Sequence, residues 1–176
     1  MKTIKTAITL AALVSTCWTA GAISITNGPI NNPANGHSYY LLSPATWGNA
    51  ETFAQTLGGH LVTINDAAEN TWINQNFMVT HPTLNPFFGL TDDGHFGTWT
   101  WISGEPVTYL NWGPGEPNFS FEHFGNLFEQ TSPYPGAWNN TSDALLYSIA
   151  EDVPEPSALS LGMLAIGLAI ARRRRP

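Results

Sequence analysis

Between Ile23 and Asp152 the chain contains no lysine, no arginine and no cysteine, and this absence constrains its fold more than any motif does. All six basic residues stand in terminal segments, Lys2 and Lys5 in front and Arg172 to Arg175 behind. The single cysteine, Cys17, also lies outside the body. Such a body has no disulfide to hold it, so it depends on its apolar core and on whatever metal it binds. Of thirteen acidic residues all but Glu155 fall between Glu51 and Asp152, which makes the body far more acidic than the whole-chain charge of -7. Phosphate contacts require cationic groups, so nucleic acid is excluded as a partner. Cations are attracted instead.

The terminal segments read as export signals. Lys2 and Lys5 precede an apolar run from Ala7 to Val14, and Ala20-Gly21-Ala22 supplies a small-residue cleavage site. Together these predict a secretory signal peptide over residues 1–22, which carries Cys17 away and starts the mature chain near Ile23. A short buried helix is the alternative. At the other end, Val153-Pro154-Glu155-Pro156 is followed by an apolar run from Ser157 to Ala171 and then by the arginines. At about 1.5 Å per residue that run spans roughly 22 Å, short of the ~30 Å hydrocarbon core, which suits a transient membrane anchor with the arginines left in the cytoplasm. A permanent, slightly short transmembrane helix is the alternative here. The tail over residues 153–176 resembles the PEP-CTERM sorting signal of Gram-negative bacteria. The resemblance implies cleavage at Pro-Glu-Pro by an exosortase, and a protein left at the cell surface or secreted.

Roughly 130 residues remain, the length of one domain. Residues 23–35 form a lead-in whose stretch from Asn27 to Asn35 is rich in Gly, Pro and Asn, and residues 36–152 form the domain. A strand is expected at Ser38 to Leu42. Ser43 can cap a helix with Pro44 in its first turn, along which Trp47, Ala50, Ala54 and Leu57 make an apolar stripe. Gly58-Gly59 ends that helix. Leu61 to Ile64 is a short strand, and Asp66 with Glu69 opens a second helix that ends near Phe77. Beyond it aromatics, glycines, prolines and asparagines dominate. Thr98 to Ile102 alternates as a strand does, and further strands are expected at Asn126 to Phe128 and Leu145 to Ala150. Two helices followed by loop-rich antiparallel sheet make an α+β pattern. Trp99, Trp101, Trp112 and Trp138 are read as core rather than as sugar-stacking platforms.

The candidate site is the stretch Asn111-Trp112-Gly113-Pro114-Gly115-Glu116-Pro117-Asn118. Glu116 offers a carboxylate and Asn118 an amide carbonyl, hard oxygens of the kind Ca²⁺ collects six to eight of. A cis Glu116-Pro117 bond, which proline alone makes cheap, would aim both at one point. By itself the tripeptide reads equally as a polar turn.

Its flanks carry a resemblance. Gly36 to Tyr40, Trp47 to Glu51, Gly58 to Ile64, Glu69-Asn70 with Trp72-Ile73, Phe88 to Asp92, Trp99 with Trp101, Asn111-Trp112, Glu-Pro-Asn and Trp138-Asn139-Asn140 follow one another as in C-type lectin domains. The resemblance implies the C-type lectin-like fold with a long calcium- and sugar-binding loop. It implies one bound calcium ion, with Glu116, Asn118, Glu122, Asn139 and Asn140 as metal ligands. Of these, Glu116, Asn118, Asn139 and Glu122 would meet the carbohydrate, a mannose-type sugar whose vicinal equatorial hydroxyls complete the metal shell. Two departures bear on this site. The family has Asp where Asn140 stands, and Glu122 follows Asn118 more closely than usual, so Glu129 and Asp143 are substitutes. An auxiliary site keeps Asp92 alone, with Phe96, Phe119 and His123 at its acidic positions. The family's two disulfides are replaced by Ala54 with Ala150 and by Phe124 with Asp143.

Other chemistry finds no support. His60 reads as structural and His95 as part of a turn, without a second ligand at zinc spacing. No Gly-x-Ser-x-Gly elbow occurs, and Glu116 with Glu122 as a glycosidase pair lacks an apolar pocket. The sequence therefore points to a non-enzymatic, exported carbohydrate-binding module, with glycan or exopolysaccharide as its partner. A calcium-independent protein-binding or matrix scaffold on the same fold is the alternative.

Overall fold

The computed structural model describes residues 22–92 and 95–152; the sorting tail and all of the expected signal peptide except Ala22 lie outside them. The elements are β1 (Ile25–Asn31), β2 (Ser38–Ala45), α1 (Trp47–Thr56), β3 (His60–Leu61), α2 (Ala67–Ile73), β4 (Phe87–Thr91), β5 (Thr100–Trp101), β6 (Phe124–Leu127), β7 (Trp138–Thr141) and β8 (Leu146–Asp152). After α2 the chain continues into a π-helical turn at Asn74–Met78, which completes the second helical segment near Phe77 as expected. The strands form a single sheet in the order β1-β2-β8-β4-β6-β7, with β3 added to β8 and β5 to β4. All neighbours run antiparallel except β4 and β8, which meet in parallel at Phe87 and Ser148. The sheet is thus mixed where antiparallel pairing was expected. Pairing of Ser38 with Asp152 brings the two ends of the domain together.

Side chains of the central strands alternate between two apolar clusters. Leu41, Val62, Phe88 and Ile149 join Ile73, Phe77, Met78, Trp101 and Trp138 on one face. Leu42, Leu61, Phe87 and Ala150 join Trp47, Ala50 and Ala54 of α1 on the other. A strand covered on both faces reads as a continuous apolar run, and all five residues of β4 are buried. That is why β4 shows no alternation in the sequence, and β7, whose Trp-Asn-Asn-Thr is mostly polar, shows little more.

Two local expectations change. Ser43 does not cap a helix. Instead β2 shifts register after Leu42 and continues to Ala45, which pairs with Leu146. The Ser43 N–H donates to Ser24 O at 2.9 Å, and its hydroxyl accepts the Ser24 N–H at 3.0 Å. Helix α1 starts at Trp47, and its first N–H is capped from far along the chain by Asp143 Oδ1 at 2.8 Å. A carboxylate there suits the positive end of the helix. The lead-in also contributes a strand, β1, despite its turn-forming residues, because β2 offers it an edge. Elsewhere the local signals hold. Gly58, at φ +94°, donates to Gln55 O and Gly59 to Ala54 O, the paired bonds of a Schellman stop. A Cβ on Gly59 would fall 1.8 Å from Glu151 O, so no other residue fits. Asp66 Oδ1 accepts the Glu69 N–H at 2.8 Å and caps α2.

The residues that the resemblance sets at the family's cysteine positions make structural contacts. Ala54 and Ala150 share the α1-side cluster. Phe124 and Asp143 both meet Trp47, one stacking on its indole at 5.0 Å between centroids and the other capping its backbone.

Among the described residues four carboxylates are buried, and each finds neutral or histidine partners. Glu51 Oε1 lies 2.6 Å from His60 Nδ1, and its Oε2 accepts the Leu61 N–H at 2.9 Å. Asp92 Oδ1 lies 2.8 Å from His123 Nδ1. Glu151 Oε2 lies 3.0 Å from His37 Nδ1 while its Oε1 accepts the Thr63 N–H at 2.7 Å. Glu69 accepts from the Tyr39 hydroxyl and from Asn65 N–H. Burial drives the Glu151 carboxyl up to about 7, against the pull of Thr63 and His37 and with some help from Glu69.

Two predictions follow from these contacts. Folding raises the Glu151 pKa, so the folded state holds that proton more tightly; the stability it confers is complete below the ordinary carboxyl pKa and is lost as pH rises toward 7. Melting curves at pH 5 and pH 8 should therefore differ less in Glu151→Gln than in wild type, by roughly 1–3 kcal/mol. An unchanged difference would mean the side chain titrates normally. Ala54→Cys with Ala150→Cys should oxidise to a disulfide and add ~2–4 kcal/mol, several degrees in melting temperature. Free thiols after oxidation would show that the two positions do not face each other.

Candidate functional site

From Ser103 to His123 the chain forms no strand; it crosses the core as one long loop anchored around Trp138. The Trp138 N–H donates to Asn111 O at 2.8 Å, and the Gly113 N–H donates to Trp138 O at 2.8 Å, which fixes Asn111-Trp112-Gly113 beside the start of β7. A Cβ at 113 would stand 2.6 Å from the Phe128 ring, so any other residue requires that ring to move. The Trp138 indole is fully buried, with Trp101, Tyr109 and Trp112 set edge-on around it at 5.5 to 5.9 Å. Trp99 packs on Trp112 at 4.8 Å. The four tryptophans therefore build the core under the loop, as read from the sequence.

Helix α2 supplies the other anchor. The Trp138 indole N–H donates to Asn70 Oδ1 at 2.7 Å, and Asn70 Nδ2 donates to Gly136 O at 3.1 Å. Asn111 Nδ2 reaches the same carbonyl at 3.2 Å.

Above this base stand the candidate ligands. The Glu116–Pro117 bond is cis, and Asn118 Nδ2 donates to Glu116 Oε1 at 3.1 Å, so both side chains do converge. Glu116 Oε2 is buried and has no hydrogen-bond partner among the described residues. Burial holds the Glu116 carboxyl above its usual range, the nearby Glu122 carboxylate pushes it further up, and Asn118 opposes both. Burial also raises Glu122.

Asn140, a ligand by the resemblance, has its side chain engaged with the loop. It is fully buried, its Oδ1 accepts the Asn118 N–H at 2.9 Å, and its Nδ2 donates to Phe119 O and Glu122 O, both at 3.0 Å. Its side chain braces the loop from beneath. Asn139, the preceding residue of β7, projects from the opposite face of the strand, as successive strand residues do. Its Nδ2 donates to Asn126 Oδ1 at 3.0 Å and to Asn140 O at 2.7 Å, which leaves Oδ1 as its remaining acceptor. No hydrogen bond joins Asn139 to Glu116, Asn118 or Glu122 among the described residues. Of the substitutes, Asp143 is engaged at the start of α1, and Glu129 accepts the Ser132 N–H through its backbone.

Sequence reasoning missed Asn126, which strand register sets directly opposite Asn139. It also missed the pair Phe119 and Phe121, exposed on the loop and stacked at 5.2 Å. No sequence signal gives the first without the pairing of β6 and β7; the second is visible as two apolar residues in a polar loop.

The oxygens on offer at the loop are the unpartnered Glu116 Oε2, the Glu122 carboxylate and the Asn118 amide oxygen; Asn139 Oδ1, on the other face of β7, joins them only when its side chain turns from Asn126. Two carboxylates with no cationic side chain beside them fit a hard cation, and water or hydroxyls would complete the six to eight oxygens calcium takes. Among the described residues no group of three or more His, Cys, Asp or Glu side chains could hold a metal, so the amide oxygens are needed. At the auxiliary position His123 is paired with Asp92, while Phe96 and Phe119 turn exposed rings to solvent.

Comparison with known proteins agrees with this architecture. The lectin C-type domain matches residues 43–144, and the PEP-CTERM protein-sorting motif matches residues 152–175. A perlucin-like protein of Mytilus galloprovincialis is 35% identical over 100 residues, covering 51% of this chain and 63% of its own. Human C-type lectin domain family 17, member A is 34% identical over 116 residues, covering 62% of this chain and 28% of its own. The chain thus spans less than two thirds of either relative. The carbohydrate-recognition domain of mouse scavenger receptor C-type lectin superposes with a TM-score of 0.57 at 30% identity, covering 68% of this chain and 91% of that one.

Asn70→Ala should cost about 1–3 kcal/mol, because it strands the buried Trp138 indole N–H and removes one of the two side-chain donors to the Gly136 carbonyl. Chemical denaturation measures it; a change within a few tenths of a kcal/mol would mean the loop does not depend on α2.

Proposed function

The chain belongs to the C-type lectin domain family and carries a PEP-CTERM sorting motif, and we infer that it is an exported, non-enzymatic carbohydrate-binding module acting through the Glu116 to Glu122 loop. The observation that carries this reading is the buried, unpartnered Glu116 Oε2, held beside a second carboxylate and next to the Asn118 amide. A sealed carboxylate oxygen calls for a donor or a cation. Hydroxyls of a mannose-type sugar can donate to Glu116 and accept from Asn118 Nδ2. The exposed Phe119–Phe121 pair offers an apolar surface to the C–H face of the same ring.

Calcium would be held by Glu116, Asn118, Glu122 and Asn139, and when bound it gives sugar hydroxyls a cationic centre to complete. With Asn140 occupied as a brace and amides supplying half of these donors, the site carries little charge and so binds the ion weakly. The sorting motif implies export across the inner membrane of a Gram-negative bacterium with exosortase processing, and we place the module at the cell surface or in the extracellular matrix, binding glycan or exopolysaccharide there. Residues 1–22 serve as the signal peptide and 36–152 as the binding domain, to whose sheet the 23–35 lead-in adds β1.

One observation favours a second reading. The loop is already braced by protein groups alone, as a calcium-independent protein-binding or matrix scaffold would require. Retention on a mannan matrix separates the two. The carbohydrate reading expects retention in millimolar calcium, at least about tenfold loss in EDTA, and the same loss in Glu116→Ala/Asn118→Ala. Retention indifferent to both EDTA and the double variant would leave the scaffold.

A further inference from the structure

We propose that Asn140 is a positioning residue that replaces metal as the element ordering the 118–122 loop, so that the binding surface is assembled before any cation arrives. The hydrogen-bond inventory of an amide carries the argument. An Asn side chain offers two donors and an acceptor with two lone pairs, whereas an ionised carboxylate only accepts. Around position 140 the loop presents one N–H, from Asn118, and two carbonyls, from Phe119 and Glu122. The amide satisfies all three at 2.9 to 3.0 Å in a site with no exposure at all. A carboxylate in the same place would satisfy Asn118 and face two carbonyl oxygens with negative charge. That arrangement would need a cation between them.

Asparagine, or aspartate with a bound cation, are thus two solutions to one electrostatic problem, and this chain has taken the first. Backbone connectivity makes the effect local. The three bonds fix the segment that follows Glu116 and ends at Glu122, so they set the separation of the two carboxylates. They also hold Phe119, whose ring stacks on Phe121. The domain contains no lysine or arginine that could substitute for the cation. Calcium then binds to a finished loop and adds affinity for a ligand without folding the site. The inference rests on side-chain geometry and holds whether or not the ligand is a sugar.

Amide hydrogen exchange by NMR on the mature chain, in EDTA and without glycan, tests it. The acceptor of the Asn118 N–H is Asn140 Oδ1, so the exchange rate of that amide reports this bond. In wild type that amide should exchange at least about tenfold more slowly in EDTA than an open loop amide, and calcium should change its rate little. In Asn140→Asp the two bonds to the Phe119 and Glu122 carbonyls are lost, and their repulsion should pull the loop off a carboxylate that could otherwise still accept the Asn118 N–H. Protection should therefore fall in EDTA and return with calcium, while the Leu41 and Ile149 amides of the central strands stay protected in both. A wild-type Asn118 amide that exchanges freely in EDTA and becomes protected only with calcium would overturn the proposal. So would an Asn140→Asp loop as protected in EDTA as wild type. Should Asn140→Asp fail to fold, the wild-type measurement decides alone. Failure of glycan retention in the preceding test leaves this result untouched, so the two readings fail separately.

Discussion

The structure depends on how buried acidic side chains find hydrogen-bond partners in a domain that has no lysine or arginine. Glu51, Asp92 and Glu151 are each buried against a histidine, and Glu69 against a tyrosine hydroxyl and a backbone N–H. Burying a carboxylate without partners is far costlier than any single contact is worth, so these pairs decide where the elements can sit. Glu51 joins α1 to β3, Glu151 joins β8 to the residues that follow β3 and to the turn before β2, and Asp92 joins the end of β4 to the start of β6. Polar pairs therefore tie these elements together without a covalent link. The apolar clusters on the two sheet faces then supply most of the stabilising burial.

Much of this frame was legible in the sequence because its signals are local. The Gly58-Gly59 stop, the Asp66 cap and the stripe through Trp47, Ala50 and Ala54 each depend on a few consecutive residues. Signals that depend on distant partners were not legible. Ser43 reads as a cap until β8 is available to extend β2, and the true cap of α1, Asp143, lies nearly a hundred positions away. Strand β4 is covered on both faces and loses the alternation that would reveal it.

The site divides in the same way. Glu116 and Asn118 were legible because proline fixes what lies between them, and the structure joins them directly. Asn139 and Asn140 look equivalent in sequence, yet alternation along β7 sends one toward Asn126 and the other under the loop. Replacing Asp by Asn at 140 reads in sequence only as a lost charge. In three dimensions it is a gain of two donors, and those donors reach two carbonyls that a carboxylate would repel. A position that ligand logic alone treats as weakened is, on this account, where the loop gets its order.

A crystal structure of the mature chain soaked in calcium and a mannoside would address the account most directly. It predicts one ion about 2.3–2.6 Å from oxygens of Glu116, Asn118, Glu122 and Asn139, a sugar ring beside Phe119 and Phe121, and the three Asn140 bonds unchanged. An ion coordinated by Asn140 Oδ1 with the Asn118 N–H released, or neither ion nor sugar at the loop, would contradict it.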